Sequence, residues 1–268
     1  MWRKTRLLIW GKTYPEFSKK YYETVCTGAV DQETGKLTRI YPITLRYMKE
    51  PFQQYDWVDA EVLRNTEDFR PESYKINQDT IQVVGHVGTK PDEWKERRRW
   101  ILGQNEFPSV EALVEAESQD HTSLGVVRPK EIRRIYVRRR SEDEKREWDE
   151  QRENALAQRD LFVDVEAKTK ELRFMPIQYR AEFTCHGASC RGHDMSILEW
   201  GVYVLSRKAY AKGGAAQAEK DVIAKIRQLM DPGKRDPYFF LGNTKAHSRN
   251  FMIVGLFHPP RVSQMSLL

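Results

Sequence analysis

The sequence is poor in cysteine, with three in 268 residues. So small and odd a number excludes the disulfide framework of a small secreted domain and fits a reducing cytosol. Long apolar runs are missing too: no stretch approaches the roughly 18–20 residues that cross a bilayer. The basic start Met1-Trp2-Arg3-Lys4 leads only into Leu7-Leu8-Ile9-Trp10 before Gly11, too short for a secretory leader. A cytoplasmic protein without a membrane partner is therefore expected. No G-x-S-x-G or G-x-G-x-x-G occurs, and Gly11-Lys12-Thr13 lacks the upstream glycine of a phosphate-binding loop. Repeats and low-complexity tracts are absent as well.

Charge is abundant, and its distribution matters more than its sum. The formal net charge is +6 and the pI about 9.1. Arg97, Arg98 and Arg99 form one cluster, and Arg133, Arg134, Arg138, Arg139 and Arg140 a second. Aromatics interleave with them. Trp94 and Trp100 bracket the first cluster, and Tyr136 stands inside the second. Guanidinium forks bind phosphate oxygens and flat rings stack on unpaired bases, so both clusters predict contact with DNA or RNA. Lys12, Tyr14, Arg39, Tyr41, Arg46, Tyr47, Tyr55 and Trp57 repeat this mixture near the N-terminus, and Lys245, His247 and Arg249 near the C-terminus.

Two of the three cysteines fall in Cys185-His186-Gly187-Ala188-Ser189-Cys190-Arg191-Gly192-His193. Thiolate and imidazole are ligands that Zn²⁺ prefers, and the glycines permit tight turns. Cys185, Cys190 and His193 are three candidate ligands, with His186 proposed as the fourth and His247, His258 or Cys26 as alternatives. A closed four-ligand site is structural. A water in the fourth position would make it catalytic, with Glu182 or Glu199 as the nearby base. Without a metal, the cysteines are small core residues and His193 caps the next helix.

Two weaker carboxylate sets point to hydrolysis. Asp164, Glu166 and Lys168 resemble the set with which metal-dependent nucleases hold Mg²⁺ and orient water. Asp68 and Glu72 flank Arg70 in a loop stiffened by Pro71, which equally suits a purely structural arginine–carboxylate pair.

Periodicity predicts an α+β chain of two β-rich lobes with a helical middle segment and C-terminal helices. The lobes are placed at 1–90 and 166–268, with the basic middle segment at 91–165. Strands are expected at 4–10, 57–64, 80–87 and 133–139. Residues 23–30 and 37–42 form a hairpin about a Gly-containing turn. Pro15 to Tyr22 reads as helical turns. Ser109 starts one helix, the capping box Ser141-Glu142-Asp143-Glu144 starts a long polar one, and Asp194 starts a third. A strand around 172–184 and a terminal hairpin over 238–241 and 251–257 complete the expected order.

Ile9-Trp10-Gly11-Lys12-Thr13-Tyr14-Pro15, Glu23-Thr24-Val25-Cys26-Thr27-Gly28, Arg39-Ile40-Tyr41-Pro42, Arg70-Pro71-Glu72-Ser73-Tyr74, Thr122-Ser123-Leu124-Gly125 and Cys190-Arg191-Gly192-His193-Asp194-Met195 together resemble an uncharacterised family of bacterial proteins. The resemblance carries no activity or catalytic residue, and suggests a setting beside mobile elements or phage defence. The leading expectation is a nucleic-acid-binding protein with a structural zinc loop, acting in a larger assembly. A metal-dependent nuclease or hydrolase is the second. An adaptor that docks a protein through the helix around 141–160 is the third.

Overall fold

The computed structural model describes residues 1–18, 22–44, 51–159 and 172–261. The described residues form an α+β fold. In chain order its elements are β1 Arg3–Lys12, β2 Glu16–Ser18, β3 Tyr22–Asp31, β4 Leu37–Ile43, β5 Asp56–Arg64, β6 Ser73–His86, α1 Pro91–Ile101, β7 Glu106–Phe107, α2 Val110–Asp120, β8 Leu124–Val127, β9 Pro129–Arg139, α3 Glu142–Arg159, β10 Ile177–Cys185, β11 His193–Ser196, α4 Trp200–Leu229, β12 Tyr238–Thr244 and β13 His247–Phe257.

The N-terminal strands close on themselves. β5, β1, β3 and β4 are successive antiparallel neighbours, which is a Greek key. β6 then bridges the ends, antiparallel to β5 and parallel to β4. The result is a five-stranded barrel, with β2 added outside β3. Closure leaves no ladder edge among the five. Alternate side chains such as Leu7, Ile9, Ala29, Ile40, Val58 and Val62 fill one buried cluster. The segment at Pro15 is strand β2 rather than helical turns, because its backbone pairs Glu16 with Thr24 and Ser18 with Tyr22.

Two further sheets follow: β13-β12-β8-β7 and β11-β10-β9. Trp10 of the barrel lies flat on Phe240 of β12, with ring centroids 4.1 Å apart. Around this stack Leu8 and Val30 share one buried cluster with Val126, Val254 and Phe257. The sheet β9–β10–β11 turns Ile135, Tyr179, Ala181 and Phe183 into a core that α4 covers with Val202, Ala218, Val222 and Ile226. Its other face carries Arg134, Tyr136 and Arg138. Register skips Arg133 and Lys130 on β9, so both sit in bulges.

Helix starts follow their caps. Ser109 Oγ accepts from Ala112 N at α2, and Ser141 and Glu144 exchange the two bonds of a capping box at α3. Asp194 starts no helix: it lies on β11, where Arg180 and Tyr136 donate to its carboxylate. The helix begins at Trp200, capped by Glu199, which accepts from Val202 N. The two expected C-terminal helices are both present within α4, meeting at a kink where Gly213 and Gly214 are non-helical. No helix among the described residues is long and apolar enough to cross a membrane.

Candidate metal centre and central cleft

β10 ends on Cys185, the loop carries Cys190, and β11 opens on His193, so hairpin geometry brings these three together. The fourth group comes from far away in sequence. Glu111, in the first turn of α2, places a carboxylate oxygen 3.2 Å from His193 Nε2. Cys190 Sγ lies 3.3 Å from the same nitrogen. All four ligand atoms fall within 4.8 Å of one another. A tetrahedron built on ordinary zinc–ligand bonds has edges of roughly 3.3–3.8 Å, so the cluster has the size of a metal site.

The environment agrees. Glu111 Oε2 is buried without a hydrogen-bond partner among the described residues. Burial works against the Glu111 charge, but hydrogen bonds from its own backbone N–H and from Ser109, with His193 beside it, hold its carboxyl below the usual value. The helix N-terminus favours an anion there as well. Burial lowers the His193 pKa against the pull of Glu111, which keeps the imidazole neutral, as a ligand must be. Burial pushes the Cys185 thiol up to about 12, so a cation is needed to make it a thiolate. The cluster can hold a metal ion. His186 is exposed and stands outside it, which corrects the expected fourth ligand. Glu111 was missed because only folding makes it a neighbour of the loop. The local clue was an acid two residues after the helix-capping Ser109. Neither expected zinc base is free: Glu182 pairs with Arg134, and Glu199 caps α4.

A second site lies on the barrel. A cleft of about 960 Å³ opens against β3 and β4 and the segments that follow β1 and β5. It gathers Lys12, Tyr14, Arg39 and Tyr41 from the N-terminal part with Lys245 from the turn between β12 and β13 and His247 at the start of β13. Arg39 and Arg70, both buried, meet at the Asn243 carbonyl, donating across 3.4 and 2.7 Å. Arg46 and Tyr47 lie outside the described residues. Tyr55 is buried beneath Arg97 rather than lining the cleft. The α3 residues Glu144, Trp148 and Gln151 form part of the opposite wall, and Trp148 packs on Phe17.

The arginine clusters divide. Arg97 is buried, lies 3.6 Å above the Tyr55 ring and donates to the Val87 carbonyl. Arg98 is held by Asp236 and the Pro260 carbonyl. Arg140 packs on Phe174 and reaches Glu144. Arg97 and Arg98 are thus engaged in holding the fold together, whereas Arg140 also lines the cleft. Arg99, Arg133, Arg134, Arg138 and Arg139 are exposed. Arg134 lies 4.1 Å over the Tyr136 ring and also pairs with Glu182, and Arg138 makes a two-pronged contact with Glu144. Arg180 joins this face from β10. Its signal was the Gln178-Arg180-Glu182 alternation.

Asp68 grips Arg70 through both carboxylate oxygens, and Glu72 accepts from the Ser123 N–H and hydroxyl. The two acids serve different partners and build no shared metal site among the described residues. Asp164, Glu166 and Lys168 lie outside the described residues.

A family model described as Domain of unknown function (DUF8758) matches residues 3–103. A second, described as Domain of unknown function (DUF8757), matches residues 105–268. No curated protein matches the chain. The cleft takes walls from both matched segments, whereas the metal cluster belongs to the second.

Proposed function

We propose, for a chain that belongs to the DUF8757 family, that it binds nucleic acid in the central cleft and holds its Cys/His loop with a structural zinc ion. The observation that carries this is where the cleft lies. Five-stranded Greek-key barrels bind oligonucleotides on the face of their second and third strands and with the loops after the first and fourth. Here those parts are β3 and β4, the segment from Thr13, and the segment from Asn65, and all of them line the cleft. Architecture alone does not make a function. The side chains supply the chemistry: cations at Lys12, Arg39 and Lys245, and rings at Tyr14, Tyr41 and Trp148.

The sheet face around Tyr136 extends this surface, since Gln178 belongs to that face and also lines the cleft. Four protein ligands would close the zinc sphere, and the cleft does not reach them, so the metal would fix a loop rather than act on a substrate. Cys26, Cys185 and Cys190 are all free, and a reducing cytosol would keep the two loop cysteines available as ligands.

Fluorescence anisotropy with labelled single-stranded DNA, single-stranded RNA and duplex tests the binding. Affinity for a single strand should fall steeply with salt and persist without Mg²⁺. Tyr41→Ala should weaken it about 5–100-fold, the worth of one stacked base, and Lys245→Ala should reduce the salt slope by about one. No retention of any nucleic acid at low salt would overturn the proposal and favour a protein-docking role.

A further inference from the structure

We infer that the cleft receives the end of a strand, and that Arg39 and Arg70 at its floor recognise a terminal phosphate monoester. This rests on the nucleic-acid function proposed above and adds which part of the polymer is bound.

The shape is the first argument. About 960 Å³ lies within the roughly 300–1,000 Å³ that seats a small organic molecule. The barrel supplies one wall, and α3, β10 and the β12–β13 turn supply the other. Arg39, Arg70, Ser73 and Asn243, all buried, form the floor. A space of this size with a buried floor suits one or two nucleotides entering end-on better than a strand running through.

Charge at the floor is the second. Arg39 is 6% exposed, and among the described residues no carboxylate forms an ion pair with it. It donates to Ser73 Oγ at 3.2 Å, to Ser123 Oγ at 3.0 Å and to the carbonyls of Ser123 and Asn243, and it also hydrogen-bonds with the Cys26 side chain. Glu72 reaches it only through the Ser123 hydroxyl and does not line the cleft. Arg70 has Asp68, so two guanidiniums share one direct carboxylate. Burial disfavours the cation, and burial with Arg70 nearby pulls the Arg39 pKa down, although Cys26, Glu72 and Asp68 act in the other direction. An entering anion would relieve this. A terminal monoester carries about −1.5 to −2 charge, against −1 for an internal phosphodiester, and three acceptor oxygens.

An orphaned acceptor is the third. Asn243 is 5% exposed and lines the cleft, its side-chain nitrogen donates to the Ser248 carbonyl, and its Oδ1 has no hydrogen-bond partner among the described residues. A buried acceptor without a hydrogen bond is unfavourable, and a sugar hydroxyl or base N–H would satisfy it.

The chemistry could come from a polymer end or from a free nucleotide, and binding measurements separate them. The probes are one single-stranded oligonucleotide with 5′-phosphate, with 3′-phosphate, with hydroxyls at both ends, and circularised, together with a nucleoside monophosphate and its nucleoside. We expect a phosphate at one end to tighten binding at least 10-fold over the hydroxyl form, with the circle no better than the latter. Gly11→Leu provides a plug. Gly11 lines the cleft, and a Cβ there would stand 3.9 Å from the Val254 carbonyl oxygen, an ordinary contact that leaves room for the start of a bulkier side chain. It should erase the end preference while leaving the melting temperature within a few degrees. Arg39→Lys should reduce the preference, and Gly11→Leu keeps the test decisive if that variant fails to fold. Equal binding of all four oligonucleotides overturns the inference and leaves the nucleic-acid proposal standing. Tight monophosphate binding without oligonucleotide binding supports the phosphate site and overturns both the strand end and the proposed function. No binding by any probe overturns both.

Discussion

Glu111 Oε1 stands 3.2 Å from His193 Nε2, joining the first turn of α2 to the start of β11. The contact closes a cluster that the Cys/His loop only begins. It fastens that loop to a helix, because Gly187 already approaches Ser109 so closely that a Cβ there would lie 3.0 Å from the serine Cβ.

Metal removal is the first test of the clip. A ligand that binds only the folded state stabilises it by about 2.7 kcal/mol at a hundredfold excess over its dissociation constant. Chelation should therefore lower the melting temperature by roughly 5–10 °C. Cys190→Ala should melt at the lowered temperature with or without chelator. A wild-type melt insensitive to chelator would remove the structural role.

Gly28 tests the joint between barrel and C-terminal sheets. A Cβ at this position would stand 2.0 Å from the Trp10 ring, which is pinned between Phe240 and the Ala29 carbonyl. Gly28→Ala should cost about 1–3 kcal/mol or more through overpacking, measured by urea unfolding. An unchanged midpoint would show that Trp10 is free to move.

Asp68 sets an acid limit. Burial works against its charge, yet the Arg70 guanidinium and backbone N–H hold its carboxyl down at about 2. Its folded value lies below the model-peptide value of roughly 3.9, so its stabilisation is present above about pH 4 and lost as pH falls through 2. That difference is worth about 2–3 kcal/mol. Asp68→Asn should destabilise by about 3–5 kcal/mol at neutral pH, since it strands Arg70. The gap to wild type should narrow below pH 4 in acid titrations of stability. A gap constant down to pH 2 would contradict the ion pair.

Lys12 has the opposite sign. Burial lowers its ammonium to about 8, with Asp56 pulling the other way. The unfolded chain then binds more protons between about pH 8 and 10.5, and stability attributable to this residue rises across that window. Lys12→Met should stabilise the protein by about 1–3 kcal/mol at pH 7, with the advantage shrinking toward pH 10.5. Its hydrogen bond to the Phe52 carbonyl offsets part of the gain. A variant less stable than wild type at pH 7 would contradict the cost assigned to burial.

Local signals were legible where local chemistry decides. Gly35 in the turn between β3 and β4 has φ +67°, which glycine adopts freely, and the flanking strands pair as expected. Ser109 and Ser141 announced α2 and α3 through their own hydroxyls. Tertiary contacts overrode the rest. Arg97 belongs to a triple-arginine run, but helical geometry turns it inward onto Tyr55 while Arg99 stays exposed. Asp194 has the identity of a helix cap, yet Arg180 opposite claims its carboxylate. Lys12, Arg39, Tyr41, Lys245 and His247 each suggested nucleic acid from composition. Only folding of the barrel against the β12–β13 hairpin shows that they share one cleft.

Elemental analysis of chelator-free protein, with Glu111→Ala and His186→Ala alongside, tests the central geometry most directly. Near one zinc per wild-type chain is expected, with a marked loss in Glu111→Ala and full retention in His186→Ala. Metal-free wild type would contradict the site. Zinc kept in Glu111→Ala but lost in His186→Ala would contradict the ligand set.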